Sequence, residues 1–154
     1  MVVTGTGAVV LTTAPTFGNF PGATLTGVNQ DVLADVTNWT VTDATGAAPG
    51  WSVNTIADVP HNGGSTVVMT GAALALTAPT AATEGTNAST APAVAGKANI
   101  IGGGGVTAAN ATATTGAGVW TLTQGAGQLK LTIPADAKAA PYATTITTTL
   151  NAAV

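Results

Sequence analysis

Residues 36–55 have the sequence VTNWTVTDATGAAPGWSVNT, and this stretch decides the expected fold. In its first half Trp39 and Val41 fall on one face and threonines on the other, which is the alternation of a half-buried β-strand. Residues 43–50 are rich in turn-forming types, and Trp51 then restarts the alternation. The segment therefore predicts two strands that pair with each other as a hairpin.

The same kind of alternation recurs towards the C-terminus, and helix signals are almost absent. Several short strands separated by turns predict one all-β domain over residues 1–154, an antiparallel two-sheet β-sandwich of Ig-like type. Residues 79–96 are rich in Ala, Thr and Pro with weak periodicity, so we expect a long loop there, within a loop-rich insertion over residues 79–118. The expected structural core consists of Trp39, Val41, Trp120, Leu122, Leu131, Ile133, Tyr142, Ile146 and Leu150.

Charge is unusually scarce in this chain. Only 6% of the 154 residues are charged, with three basic and six acidic side chains and a net charge of −3, whereas about a quarter is usual. A hydrophobic fraction of 45% argues against disorder. The lysines are too few for a nucleic-acid interface, and no apolar run is long enough for a membrane span. So few titratable groups predict a protein that is not an enzyme, and no cofactor motif is present.

Two blocks of the sequence are similar to motifs of a known family. Residues 40–53 (TVTDATGAAPGWSV) match the pattern T-V-T-D-x-x-G-x-x-x-G-W-x-V. Residues 131–150 (LTIPADAKAAPYATTITTTL) follow L-x-V-P-x-x-A-x-x-G-x-Y-x-x-x-I-x-W-x-L, with Ala140 in place of the glycine and Thr148 in place of the tryptophan. The chain thus resembles the WxL-type surface domain of Gram-positive bacteria, although a literal Trp-x-Leu occurs only at residues 120–122. The resemblance implies non-covalent attachment to the cell wall.

These observations lead to two hypotheses about function. The first is a non-enzymatic structural module at the cell surface, with peptidoglycan as a partner. Because few lysines guard its edge strands, it is also expected to self-associate as a homo-oligomer or a repeated surface lattice. The alternative is a decoration or tail protein on the exterior of a phage virion, with capsid protein as the partner, since sandwich folds serve both roles.

Trp51 is the best candidate for contact with a ligand or partner, because it follows a Pro-Gly turn and is expected to be exposed. The three tryptophans, Trp39, Trp51 and Trp120, would form an aromatic platform for glycan if exposed, but alternation favours core packing for Trp39 and Trp120. Tyr142 follows a Pro-bounded corner, and its hydroxyl is expected to bond to backbone near Asp136, as in a tyrosine corner.

Other chemically suggestive residues have simpler interpretations. His61, Asp58 and Ser65 resemble a hydrolase triad in composition, but the nucleophile-elbow motif is missing and a turn is favoured. The glycine run 102–105 lacks the residues of a phosphate-binding loop. The acids Asp31, Asp35, Asp43 and Asp58 do not match a calcium-loop spacing, and Asp43 is expected to cap its own turn. We therefore expect no metal site and no catalytic residue.

Overall fold

A computed structural model describes residues 1–5, 7–64, 67–83 and 88–153, with the side chain of Thr83 outside that description. These residues form eleven strands and no helix, so the all-β prediction is confirmed. The strands are β1 (Val9–Thr13), β2 (Gln30–Ala34), β3 (Trp39–Asp43), β4 (Trp51–Ala57), β5 (Ala73–Leu76), β6 (Thr80–Thr83), β7 (Ala93–Val94), β8 (Val106–Ala111), β9 (Gly118–Thr123), β10 (Leu129–Ile133) and β11 (Ile146–Ala152). Within the described ranges, no helix has the length and apolar character needed to span a membrane.

The strands form three antiparallel sheets, in the orders β1-β3-β9-β6, β2-β10-β5 and β11-β4-β8-β7. This arrangement agrees with an antiparallel sandwich, although its strands divide among three hydrogen-bonded sheets rather than two. Inward-facing side chains from all three sheets belong to one buried apolar cluster. The protein has no disulfide. Burial of this common apolar cluster is therefore the main contribution to the stability of the fold.

The predicted hairpin between β3 and β4 is wrong. β3 lies between β1 and β9 in the first sheet, whereas β4 lies between β11 and β8 in the third. Each strand therefore has two other backbone partners, and both bury alternate side chains in the common core. The connection crosses from one sheet to another, and Gly50 allows this at φ +91°, where a Cβ would lie 2.7 Å from the Ala111 carbonyl oxygen.

The predicted loop-rich insertion, residues 79–118, contains β6, β7 and β8, and the first two of these strands lie within residues 79–96, the part predicted to be a long loop. β8 is an inner strand of the third sheet, but its pairing with β4 shifts register between Val53 and Asn54. Ala108 is the extra residue at this bulge, so Ala108 and Ala109 are both fully buried. A bulge breaks the two-residue period, which is why the sequence pattern here looked irregular.

The expected core residues are found in two environments. Trp39 and Val41 on β3, Trp120 and Leu122 on β9, and Leu131 and Ile133 on β10 are buried. Tyr142, Ile146 and Leu150 are half-buried and pack against that cluster from one side. This difference matters for the site, because Tyr142 and Ile146 border the cleft described below.

Candidate functional site

The structure contains a half-open cleft of about 1070 Å³. Its walls are residues 14–25, which we call the strap, and residues 137–144, which we call the corner. The floor includes Val32 of β2, Leu131 and Ile133 of β10, and Ile146 and Thr148 of β11. Because β2 and β11 each lie at the edge of a sheet, the cleft opens where the second and third sheets present their edge strands.

Backbone hydrogen bonds fix one end of the strap. The Gly18 amide donates to the Asp35 carbonyl (2.8 Å), and the Thr37 amide donates to the Thr16 carbonyl (3.0 Å). Phe17 forms an isolated bridge with Val36 and packs against the core. The strap is therefore held in place over the cleft without belonging to a sheet.

A tyrosine fixes the corner, as the sequence predicted. The Tyr142 hydroxyl donates to the Lys138 carbonyl oxygen at 2.9 Å, two residues from the expected position at Asp136. The next residue, Ala143, exchanges two backbone hydrogen bonds of 2.9 Å with His61. This bonding places the exposed side chain of Lys138 at the wall of the cleft, where it is the only charged side chain among the described lining residues.

Both departures from the family motif border this cleft. Ala140 lies in the corner wall, and Thr148 lies on the inward face of β11. The Thr148 hydroxyl pairs with that of Thr55, which is fully buried, at 3.3 Å. A threonine therefore leaves open space at a position where the motif carries the largest side chain.

The prediction of an exposed Trp51 is wrong. Its side chain is only 2% exposed, and its Nε1 donates to the Gly116 carbonyl at 3.0 Å. The reason is the alternation of β4, which turns Trp51 inward together with Val53. Gly116 makes room, because a Cβ there would approach the indole Nε1 at 3.1 Å. Trp39 and Trp120 are also buried, so none of the three forms an exposed platform.

The remaining acidic candidates have local structural partners. Asp43 caps its turn as expected, with Oδ1 accepting from the Thr45 amide (3.1 Å) and hydroxyl (2.6 Å). Asp31 pairs with Lys130 at 2.9 Å, and hydrogen bonds from Thr132 and then from Lys130 hold its pKa below the usual range. No group of three His, Cys, Asp or Glu side chains suited to a metal occurs in the part of the chain that the structure describes.

His61 and the glycine run are turn elements. His61 Nδ1 lies 3.1 Å from the Val59 carbonyl, and Ser65 of the supposed triad lies outside the described residues. The glycines at 102–105 all have positive φ, which suits a tight turn. Sequence reasoning overlooked the strap, although its aromatic residues Phe17 and Phe20 in a Pro- and Gly-containing segment were a usable signal.

The cleft can be compared with what is known of related sequences. Residues 12–153 match the model of the WxL domain, described as a surface cell wall-binding domain. The chain belongs to the WxL domain family. The matched range extends from the end of β1 to just beyond β11, so the strap, the corner and the floor of the cleft all lie within the WxL domain. Searches of curated proteins and of solved structures found no match.

Proposed function

We propose that this WxL domain is a non-enzymatic module that binds peptidoglycan in the cleft and so holds its protein at the cell surface. The family match, which covers every wall of the cleft, is the observation that carries the proposal. The same match favours a cell-wall setting over a virion. A concave site that buries part of a ligand suits non-covalent attachment, and the cleft has this shape.

The size and lining of the cleft support this proposal. Ligand sites typically enclose roughly 300–1,000 Å³, with mostly apolar walls and a few polar groups. The cleft, at about 1070 Å³, is at the upper end of this range. Its floor is aliphatic, and its polar groups are hydroxyls, one amide side chain (Asn19) and Lys138. Such a lining suits binding without chemistry, since none of the lining residues within the described ranges carries a carboxylate or an imidazole.

Sedimentation with insoluble purified peptidoglycan tests the proposal. The wild-type protein should enter the pellet, and Ala139→Trp should reduce the pelleted fraction because an indole on this wall would occupy the cleft. Ala135→Trp is the matched control, because residue 135 is an exposed alanine of the same segment that does not line the cleft. Wild-type protein that stays in the supernatant, or equal losses in the two variants, would contradict the proposal.

We further propose that copies of the domain associate through sheet edges. Of the six edge strands among the described residues, only β2 contains a charged side chain, Asp31. An edge strand without charged side chains can hydrogen-bond through its free backbone groups to a strand of a neighbouring copy. The best candidate is β1, where Val10 is 45% exposed.

Light scattering coupled to size exclusion tests self-association. The wild-type mass should rise with protein concentration, and Val10→Lys should keep the protein monomeric. Val28→Lys is the control, because Val28 is 63% exposed but lies outside the strands. A monomeric mass at every wild-type concentration would refute association.

A further inference from the structure

The cleft differs from a sugar-binding platform in its aromatic residues. A sugar ring usually packs its C–H face flat against an exposed aromatic ring. Here all three tryptophans are buried, and the aromatic residues that border the cleft, Phe17, Phe20 and Tyr142, are each half-buried against the core. No exposed residue of the described lining is aromatic, so the walls consist of half-buried rings and small side chains.

The backbone of the strap is available for hydrogen bonding. Residues 19–24 are mostly exposed, and within the described ranges their peptide groups have no backbone hydrogen bond. Their side chains are small, apart from Phe20, with glycine, alanine, proline and threonine among them. Free main-chain groups can hydrogen-bond an extended peptide, as they do at exposed sheet edges, while shallow pockets accept its side chains.

The charge in the cleft has one sign. Among the residues of the lining that the structure describes, Lys138 is the only one with a charged side chain, and no described carboxylate forms an ion pair with it. A ligand carboxylate at this position would gain a charge-assisted hydrogen bond, which is stronger than one between neutral groups. A neutral sugar would gain much less from the same lysine.

Peptidoglycan has two chemically distinct parts, a glycan strand and short alanine-rich peptides that end in a carboxylate. We infer that the cleft recognises the peptide part, with the peptide backbone along the strap, alanine methyl groups on the aliphatic floor and the terminal carboxylate at Lys138. This inference rests on the proposed binding of peptidoglycan. Ala140 and Thr148, the two departures from the family motif, border the same space and would shape it for this ligand.

Competition in the sedimentation assay tests the inference. Free peptides released from peptidoglycan by an amidase should displace the protein from the pellet, whereas peptide-free glycan strands should not. Peptides with an amidated C-terminus should compete about tenfold less well, which corresponds to about 1.4 kcal/mol of binding free energy.

Variants at two lysines locate the carboxylate contact. Lys138→Gln should weaken competition by the free peptides about tenfold and should remove the difference between acid and amide forms, because the two changes delete the same interaction. Lys130→Gln is the control, since Lys130 lies outside the cleft in an ion pair with Asp31. It should behave as wild type.

The outcomes separate the inference from the proposal on which it rests. Displacement by glycan strands but not by peptides would overturn the inference and leave peptidoglycan binding intact. Equal sensitivity to amidation in the wild type and in Lys138→Gln would overturn the role of the lysine. If the protein bound neither whole peptidoglycan nor the free peptides, both the inference and the proposed function would be overturned.

Discussion

Replacement of Trp51 by phenylalanine is expected to destabilise the protein substantially, because the indole is a buried structural group. The change removes the hydrogen bond from Nε1 to the Gly116 carbonyl and leaves that oxygen without its partner. An orphaned buried acceptor costs about 1–3 kcal/mol, and the smaller ring adds a cavity penalty. We therefore expect Trp51→Phe to lower the free energy of unfolding by about 2–4 kcal/mol.

Trp39 provides a matched comparison. It is fully buried, but its Nε1 has no hydrogen-bond partner among the described residues. In Trp39→Phe the smaller ring still leaves a cavity, which lowers the free energy of unfolding. The change also removes an unsatisfied donor and leaves no acceptor without a partner, so the loss of stability should be about 1–2 kcal/mol smaller than for Trp51→Phe.

Urea denaturation followed by far-ultraviolet circular dichroism measures both values without relying on tryptophan fluorescence. If Trp51→Phe changed stability by less than about 0.5 kcal/mol, as is usual for surface positions, the burial argument would be refuted. It would also be refuted if Trp39→Phe were the more damaging change.

Three further changes test separate parts of the structure. Gly105→Ala should cost more stability than Gly103→Ala, because both glycines have positive φ but only at Gly105 would a Cβ overlap the Thr55 carbonyl; equal costs in thermal unfolding would contradict this. The lowered pKa of Asp31 means that its carboxylate stabilises the fold at neutral pH and loses that effect as pH falls through the folded-state pKa. The stability gap between wild type and Asp31→Asn should therefore be small, should be widest near pH 7 and should close in acid, and a gap that grows in acid would refute the assignment. Tyr142→Phe should lower stability by about 0.5–1.5 kcal/mol through loss of the corner hydrogen bond and should also weaken sedimentation with peptidoglycan, whereas unchanged values for both would argue against the corner as a wall of the site.

The sequence was informative wherever local alternation controlled the structure. Trp39 and Val41, and likewise Trp120 and Leu122, alternate with threonines, and the structure buries them. Strand pairing could not be predicted in the same way. β3 and β4 look like a hairpin locally, but their partners β9 and β8 come more than fifty residues later, and only the complete set of strands determines which edges meet.

Two features of the site were beyond sequence reasoning for physical reasons. The environment of Trp51 depends on Gly116, which is distant in sequence and acts through the absence of a side chain. The strap has no periodicity because it belongs to no sheet, so its role as a wall of the cleft follows only from where Thr16 and Gly18 are anchored. The corner was easier to predict from the sequence, since a tyrosine after a Pro-bounded turn has a recognisable role.

Chemical-shift mapping on the ¹⁵N-labelled domain, titrated with soluble peptidoglycan fragments, tests the central claim most directly. Binding in the cleft predicts that the largest amide shifts occur in the strap, in the corner and at Thr148, while β7 and the exposed face of β8 stay unchanged. Shifts concentrated on β7 and β8, or no shifts at fragment concentrations that release the protein from whole peptidoglycan, would contradict it.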